Sequence, residues 1–265
     1  MLNFLFKYSK KREFMFNLQN FLYMVISAIL TAGLLFLASA KVKEQKYRNL
    51  ILKLSAVITV LIHISDLWVD YLKSGGYVYV GSVLIFPMYP CNIIMWMLLV
   101  TAFIDNKESK VFRFLAEFCL IVGTVCGIIG ILFNENFDAT PTLADYSVLK
   151  GLLSHSTMIF GCVYLFVGGY AKPSVFSSLS LVFGFGIFVV CGVAMNTLYA
   201  AFGMESPDGI WIKGVPYVGL SSIILGLLFV LLYFGVLALI ELRLPPEERW
   251  YSKAKNYFNK ITRRK

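Results

Sequence analysis

Five stretches of this chain hold no Asp, Glu, Lys or Arg: residues 14–40, 74–104, 151–171, 173–204 and 214–240. Nothing else in the sequence limits the fold so sharply. A helix needs about 20 largely apolar residues to cross a bilayer, and every one of these runs is that long. In lipid the backbone must satisfy its own N–H and C=O groups, which leaves helices or closed barrels. Barrel strands read as alternating segments of about 10 residues, and these runs are too long and too evenly apolar for that. Of the 265 residues 58% are apolar, more than a soluble domain with a polar surface would carry. The expected fold is all-α, a polytopic membrane helix bundle of about seven transmembrane helices. They are expected at about 17–40, 49–71, 84–104, 112–133, 149–169, 175–201 and 216–241. The first run is too long for a signal peptide and no small-residue cleavage site leads into a soluble domain, so it reads as a retained helix. A six-helix arrangement, with the first helix not crossing, is the alternative. The division that follows is a basic amphipathic N-terminal segment at 1–16, a transmembrane bundle at 17–241 and a basic cytoplasmic tail at 242–265.

Charge sets the expected orientation. The formal net charge is +9. With the N-terminus outside and the C-terminus in the cytoplasm of a multi-pass cell-membrane protein, the inner loops and tail hold 17 of the 24 Lys and Arg. That asymmetry satisfies the positive-inside rule. Of the seven left outside, four lie between Lys7 and Arg12. These are expected to lie along the interface, with Phe4, Leu5, Phe6 and Phe14 in the headgroup layer. The tail from Glu241 to Lys265 carries eight Lys and Arg interleaved with Trp250, Tyr251, Tyr257 and Phe258. It reads as a juxtamembrane segment held by anionic inner-leaflet lipids, not as a nucleic-acid binder.

The informative residues are the polar ones inside the apolar runs, since ionisable groups there are costly and often functional. His63, Asp66 and Asp70 are spaced three and four apart on the expected second helix, which stacks them on one face of its outer half. The third helix opens with Tyr89, Cys91 and Asn92. The fifth carries Ser154, His155, Ser156 and Thr157, the sixth Asn196, Thr197 and Tyr199, and the seventh Tyr217, Ser221 and Ser222. At about 1.5 Å per residue, Cys91, His155 and His63 fall roughly 8–13 Å below the outer surface. The inner halves are nearly dry, Glu117 one turn from Arg113 being the exception. A polar cavity near the outer leaflet is one reading, and helices stitched together by hydrogen bonds is the other.

Cys91 stands apart from Cys119, Cys126, Cys162 and Cys191, which read as small apolar fillers. Proline favours the first helical position. If Pro90 opens the third helix, Cys91 lies in its first turn. There the dipole and free N–H groups stabilise a thiolate and could hold an oxyanion. A histidine at equal depth, His155, could serve as its base, with Asp66 or Asp70 orienting or tuning a histidine. No metal motif, nucleotide loop or internal repeat is present, and neither metal nor cofactor is expected.

Several short motifs carry a family resemblance. Phe86-Pro87-Met88-Tyr89-Pro90-Cys91-Asn92 resembles the Pro-x-His-x-Cys segment of the YwaF family of bacterial integral membrane proteins. Leu153-Ser154-His155-Ser156 resembles that family's histidine helix. Asn196, followed by Gly203, resembles its Asn near the end of the penultimate helix, and Pro216-Tyr217 its entry to the last one. The YwaF family is similar to the eukaryotic transmembrane protein one-six-four family, acyltransferases that move fatty acyl chains onto ether phospholipids. The resemblance implies a Cys nucleophile at Cys91 and a His partner at His155. One departure is plain: Tyr89 stands where the bacterial motif has His. The leading expectation is a membrane-embedded lipid acyltransferase or transacylase acting on a phospholipid or fatty acyl substrate. Cys91 and His155 would be catalytic, and His63, Asp66, Asp70, Tyr89 and Asn196 supporting. A small-solute or proton-coupled transporter component, and a structural membrane protein without catalysis, are the alternatives.

Overall fold

A computed structural model describes residues 18–73, 89–134, 142–203, 208–213 and 220–255, with the side chains of Asp66 and Asp70 excepted. The N-terminal segment 1–16, Pro87 and Met88 before Cys91, the Pro216-Tyr217 pair and residues 256–265 of the tail lie outside the described residues. The described residues hold eight helices and no strand. They are α1 (Leu18–Lys41), α2 (Gln45–Ile64), α3 (Asp66–Lys73), α4 (Pro90–Phe103), α5 (Lys110–Leu132), α6 (Tyr146–Val167), α7 (Ser177–Ala201) and α8 (Ser222–Glu241). Among the described residues six spans are long and apolar enough to cross a membrane: α1, α2 continued to Val69, α5, α6, α7 and α8. The polytopic helix bundle read from the sequence is therefore what the chain forms. The remaining expected crossing, 84–104, is described as helix from Pro90 to Phe103.

Local chemistry explains the helix limits. Ser109 starts α5 by accepting a hydrogen bond from Phe112 N at 3.1 Å. Asp145 starts α6 by accepting from Ser147 N at 2.9 Å and Val148 N at 3.2 Å. Ser221 caps α8 through Ile223 N. Gly169, at φ 80, takes the left-handed turn that ends α6, and Tyr170 N and Ala171 N return to Leu165 O. α5 is not uniform: Cys119–Gly123 forms a π-helical turn between α-helical halves Lys110–Phe118 and Thr124–Leu132.

The expected helix over 49–71 is found as one span with a turn inside it. The helix begins earlier, at Gln45, and a turn at Ser65 separates α2 from α3. Ser65 Oγ donates back to Ile62 O, a bond that competes with the helical ladder, and accepts from Tyr146 OH. His63 and the two aspartates therefore belong to different helices.

The chain divides into two compact units, Met1–Ala171 and Lys172–Lys265. In the first, α6 is the hub, packed on α1, α2, α4 and α5. Small residues let the backbones approach, as membrane helices require in place of a hydrophobic driving force. A Cβ on Gly127 would lie 2.4 Å from Ile159 Cγ1, and one on Gly161 would lie 2.8 Å from Leu98 Cδ2. Around these contacts Ile94, Met95, Leu98, Leu152, Met158 and Leu165 are fully buried. One end of this unit is closed by Tyr170, whose OH donates to Asn49 Oδ1 at 2.6 Å and accepts from Gln45 Nε2 at 3.3 Å. Beside it Lys107 donates to Ala102 O at 3.0 Å, capping α4, and sits 4.7 Å over the Phe112 ring. Burial pushes the Lys107 amine down, Lys53 adds to that, and Asp105 opposes it. In the second unit α7 and α8 meet through Gly226 against Phe185, which also makes an edge contact with Phe229 at 6.2 Å. The start of the tail folds back: Trp250 N donates to Glu241 Oε2 at 2.8 Å and its ring meets Phe234 at 5.5 Å.

Candidate functional site

At the other end of the first unit the polar residues collect. The end of α2, the start of α4, the C-terminal half of α5 and the start of α6 all arrive there. The joins are polar. Tyr146 OH donates to Ser65 Oγ at 2.6 Å, linking α6 to α2. Asn134 Nδ2 donates to Val148 O at 3.3 Å and lies over Gly151, linking the end of α5 to α6. α1 joins through Ser156, whose Oγ lies 2.8 Å from both Tyr23 OH and Ser27 Oγ.

Pro90 is the first residue of α4, with Tyr89 extended before it at φ −114 and ψ 154. Cys91 is thus in the first turn, half-buried, and its thiol donates to Asn92 Oδ1 at 3.4 Å. In that turn Pro90 carries no N–H and Ile93 N donates to Tyr89 O at 3.1 Å. Asn92 itself is buried.

His155 lies on α6. Its Nδ1 is 2.6 Å from Gly151 O. A carbonyl can only accept, so Nδ1 carries the proton and Nε2 of the neutral ring keeps its lone pair. The ring fills the space above Gly130 of α5: a Cβ there would lie 2.2 Å from both Cδ2 and Nε2. Cys126 lies one turn earlier on the same helix. α4 and α6, which carry Cys91 and His155, both pack on α5.

The other expected site residues divide. His63 is 4% exposed at the end of α2. Tyr89 precedes Pro90 at the start of α4. Asp66 and Asp70 fall on α3, and their side chains are outside the described residues. Asn196 belongs to the second unit, where its Oδ1 accepts from Gly209 N at 2.7 Å and holds the turn Gly209–Trp211 against α7. Thr197 and Thr157 bond back to carbonyls of their own helices, Val193 O and Leu153 O, and Ser221 is a cap. Those three hydroxyls serve local helix structure.

The fold adds residues that the sequence reading passed over. Lys150 is 5% exposed on α6, five residues before His155. Along the chain it is a flanking charge at the start of a helix, and its one signal is that it falls inside the expected 149–169 span. Asn134, 7% exposed, and Gly130 also gave no signal: both matter through contacts between helices.

Comparison with known proteins gives one finding. A family model described as the TMEM164 family matches residues 15–234. No curated protein and no solved structure matches the chain.

Proposed function

The chain belongs to the TMEM164 family, and from that premise we propose that it is a membrane-embedded lipid acyltransferase or transacylase with Cys91 as nucleophile and His155 as base. The observation that carries the reading is the pairing around α5. A thiol in a proline-started first turn of α4 and a histidine whose Nδ1 is tied to Gly151 O are carried by helices that both pack on α5.

The reaction runs in two halves. His155 Nε2 takes the Cys91 thiol proton and the thiolate attacks the ester carbonyl of an acyl donor. The carbonyl oxygen becomes an oxyanion, held by N–H groups of the first turn of α4. The ester bond breaks, and the departing lyso-lipid alkoxide takes the proton back from His155. Cys91 is left as a thioester. An acceptor hydroxyl then loses its proton to His155, attacks the thioester and forms the new ester. The expelled thiolate recovers that proton. His63, Tyr89 and the carboxylates of Asp66 and Asp70 support the histidine and the acyl group in this reading, and Asn196 holds its side of the fold. The donor is a membrane phospholipid, and the basic tail rests on anionic lipids of the inner leaflet. The bacterial YwaF branch, suggested by the motifs around Cys91 and Pro216, is the proposed placement within this setting.

The test is acyl labelling in cells fed an alkyne fatty acid. Wild type should carry a hydroxylamine-sensitive label that is absent from Cys91→Ala and turns over quickly in a chase, and that rapid turnover should be lost in His155→Ala. Unchanged lipid remodelling in a well-expressed Cys91→Ala protein rejects the reading. A second reading, proton-coupled transport, is favoured by His63 and Lys150, which are 4% and 5% exposed near one end of the helices. Solute uptake that depends on Asp66 and ignores Cys91 would select it.

A further inference from the structure

We propose that segment 208–213 is a re-entrant loop. It folds back along α7 to a level inside the bilayer and brings water with it, forming an inlet for small hydrophilic solutes at the end of the second unit where α7 stops. The inference is independent of the acyl-transfer reading and concerns the second unit alone.

The level follows from α7 itself. The sequence carries no charge from 173 to 204. Up to the end of α7 the apolar side chains of one face stay turned outward: Val190, Val193, Leu198 and Phe202 are all exposed, Phe202 by 70%. On a membrane-spanning helix such a face meets lipid, so lipid reaches the end of α7. The opposite face carries Gly192, Met195 and Tyr199, spaced three and four apart and buried. At Gly192 the covering element is not a helix but the turn Gly209–Trp211. Two glycines bring the backbones together there. A Cβ on Gly192 would lie 2.9 Å from Gly209 O and 2.8 Å from Ile210 Cγ1, and one on Gly209 would lie 3.2 Å from Gly192 O. Gly192 stands about 13 Å along the axis from Ala201, and Asn196, whose Oδ1 accepts from Gly209 N at 2.7 Å, about 7 Å. The turn is therefore docked well below the last lipid-facing side chain of the helix.

The loop holds this place against its own backbone preferences. Ile210 is β-branched and sits at φ 60, with Asp208 and Trp211 also left-handed at φ 57 and φ 51. Such conformations persist where the surroundings over-determine them, and Ile210 is 1% exposed against α7. Non-helical backbone at membrane level survives only when it is buried in protein or beside water. This segment does both. Gly209 and Ile210 are buried, whereas Asp208, Trp211 and Ile212 are partly exposed and Lys213 is exposed. The Asp208 carboxylate accepts from Lys213 N with both oxygens at 3.1 Å, which closes the segment on itself at the level of Asn196. An ionised side chain at that level is not left against lipid, and Asp is too short to reach the surface as a lysine does. The side of the loop turned away from α7 therefore meets water.

The experiment is thiol modification in open membrane fragments, where both faces meet the reagent. It uses the full chain carrying Ile212→Cys, Lys213→Cys or Val193→Cys, each read against the unsubstituted chain. Val193 lies between Gly192 and Asn196 on the lipid-facing side of α7 and marks the same level. A small cationic methanethiosulfonate, which does not enter lipid, should modify the Ile212→Cys and Lys213→Cys chains roughly tenfold or more faster than the Val193→Cys chain, because a thiol in apolar surroundings stays protonated. A maleimide carried on a bulky polymer should modify none of the three. Rapid modification of the loop variants by the polymer reagent puts the segment outside the membrane and overturns the inference. Modification by the small reagent no faster than in Val193→Cys means a dry loop and overturns it as well. Hydrogen exchange of the unsubstituted chain needs no variant to fold: amides of 208–213 should exchange at least about tenfold faster than those of 190–200, and equal protection overturns the inference.

Discussion

Gly130 shows how much a missing side chain can decide. The His155 ring occupies the place where a Cβ would be, and Nδ1 is tied to Gly151 O on its other side. Gly130→Ala should therefore push the ring off its position. The expected cost is about 1–3 kcal/mol of stability from overpacking, with acyl turnover falling as it does in His155→Ala. Gly186→Ala, where nothing lies within 4 Å, is the matched control and should leave both thermal stability and turnover near wild type. At the far end of the unit, Tyr170 makes a pH prediction. Burial pushes its phenol up to about 12, the nearby Tyr164 adds to the shift, and Arg48 and the Gln45 hydrogen bond partly offset it. The charged form is the one disfavoured in the fold. The contribution is thus complete below the ordinary value of 10.0 and is lost as pH rises from there through about 12. Thermal denaturation across that window should fall for wild type and fall less for Tyr170→Phe.

At the scale of helices, caps give the cleanest test of why elements begin where they do. Ser109→Ala removes the acceptor for Phe112 N at the start of α5, and should cost about 1 kcal/mol, read as a lower melting temperature with acyl turnover unchanged. Much of this level was legible in the chain. Helices α1, α6, α7 and α8 announce themselves by uncharged length, α5 by the apolar stretch after Glu117, and Pro90 announces the start of α4. The break at Ser65 was not, because a serine within an apolar helix is ordinary and only Tyr146, 81 positions later, gives its hydroxyl a second partner. Asn196 carries a contact that no spacing announces: its oxygen is engaged by the backbone of Gly209, 13 positions later. Lys150, Asn134 and Gly130 escaped because charge at a helix start, an amide at a helix end and a glycine between apolar residues carry no periodic signal. Their meaning lies in which helix faces which.

For the whole molecule, the distribution of Lys and Arg makes a claim about the bilayer. With the C-terminus in the cytoplasm, a phosphatase fused after Lys265 should be inactive and a cytoplasmic fluorescent reporter bright, and an N-terminal epitope should be labelled from outside intact cells. The reverse pattern would put the Cys91 end of the first unit on the cytoplasmic leaflet and change the pool of lipids it meets. Inheritance sees one further property of this fold. The π-helical turn Cys119–Gly123 is a helix carrying one residue too many. Trimming one codon there would let α5 relax to a regular helix and turn everything after it by about 100°. Gly130 would then swing away from the His155 ring. Single substitutions along this stretch should mostly be absorbed, while a single in-frame loss should erase acyl labelling in a protein that still inserts. The chain is tolerant in its spelling at that point and intolerant in its count.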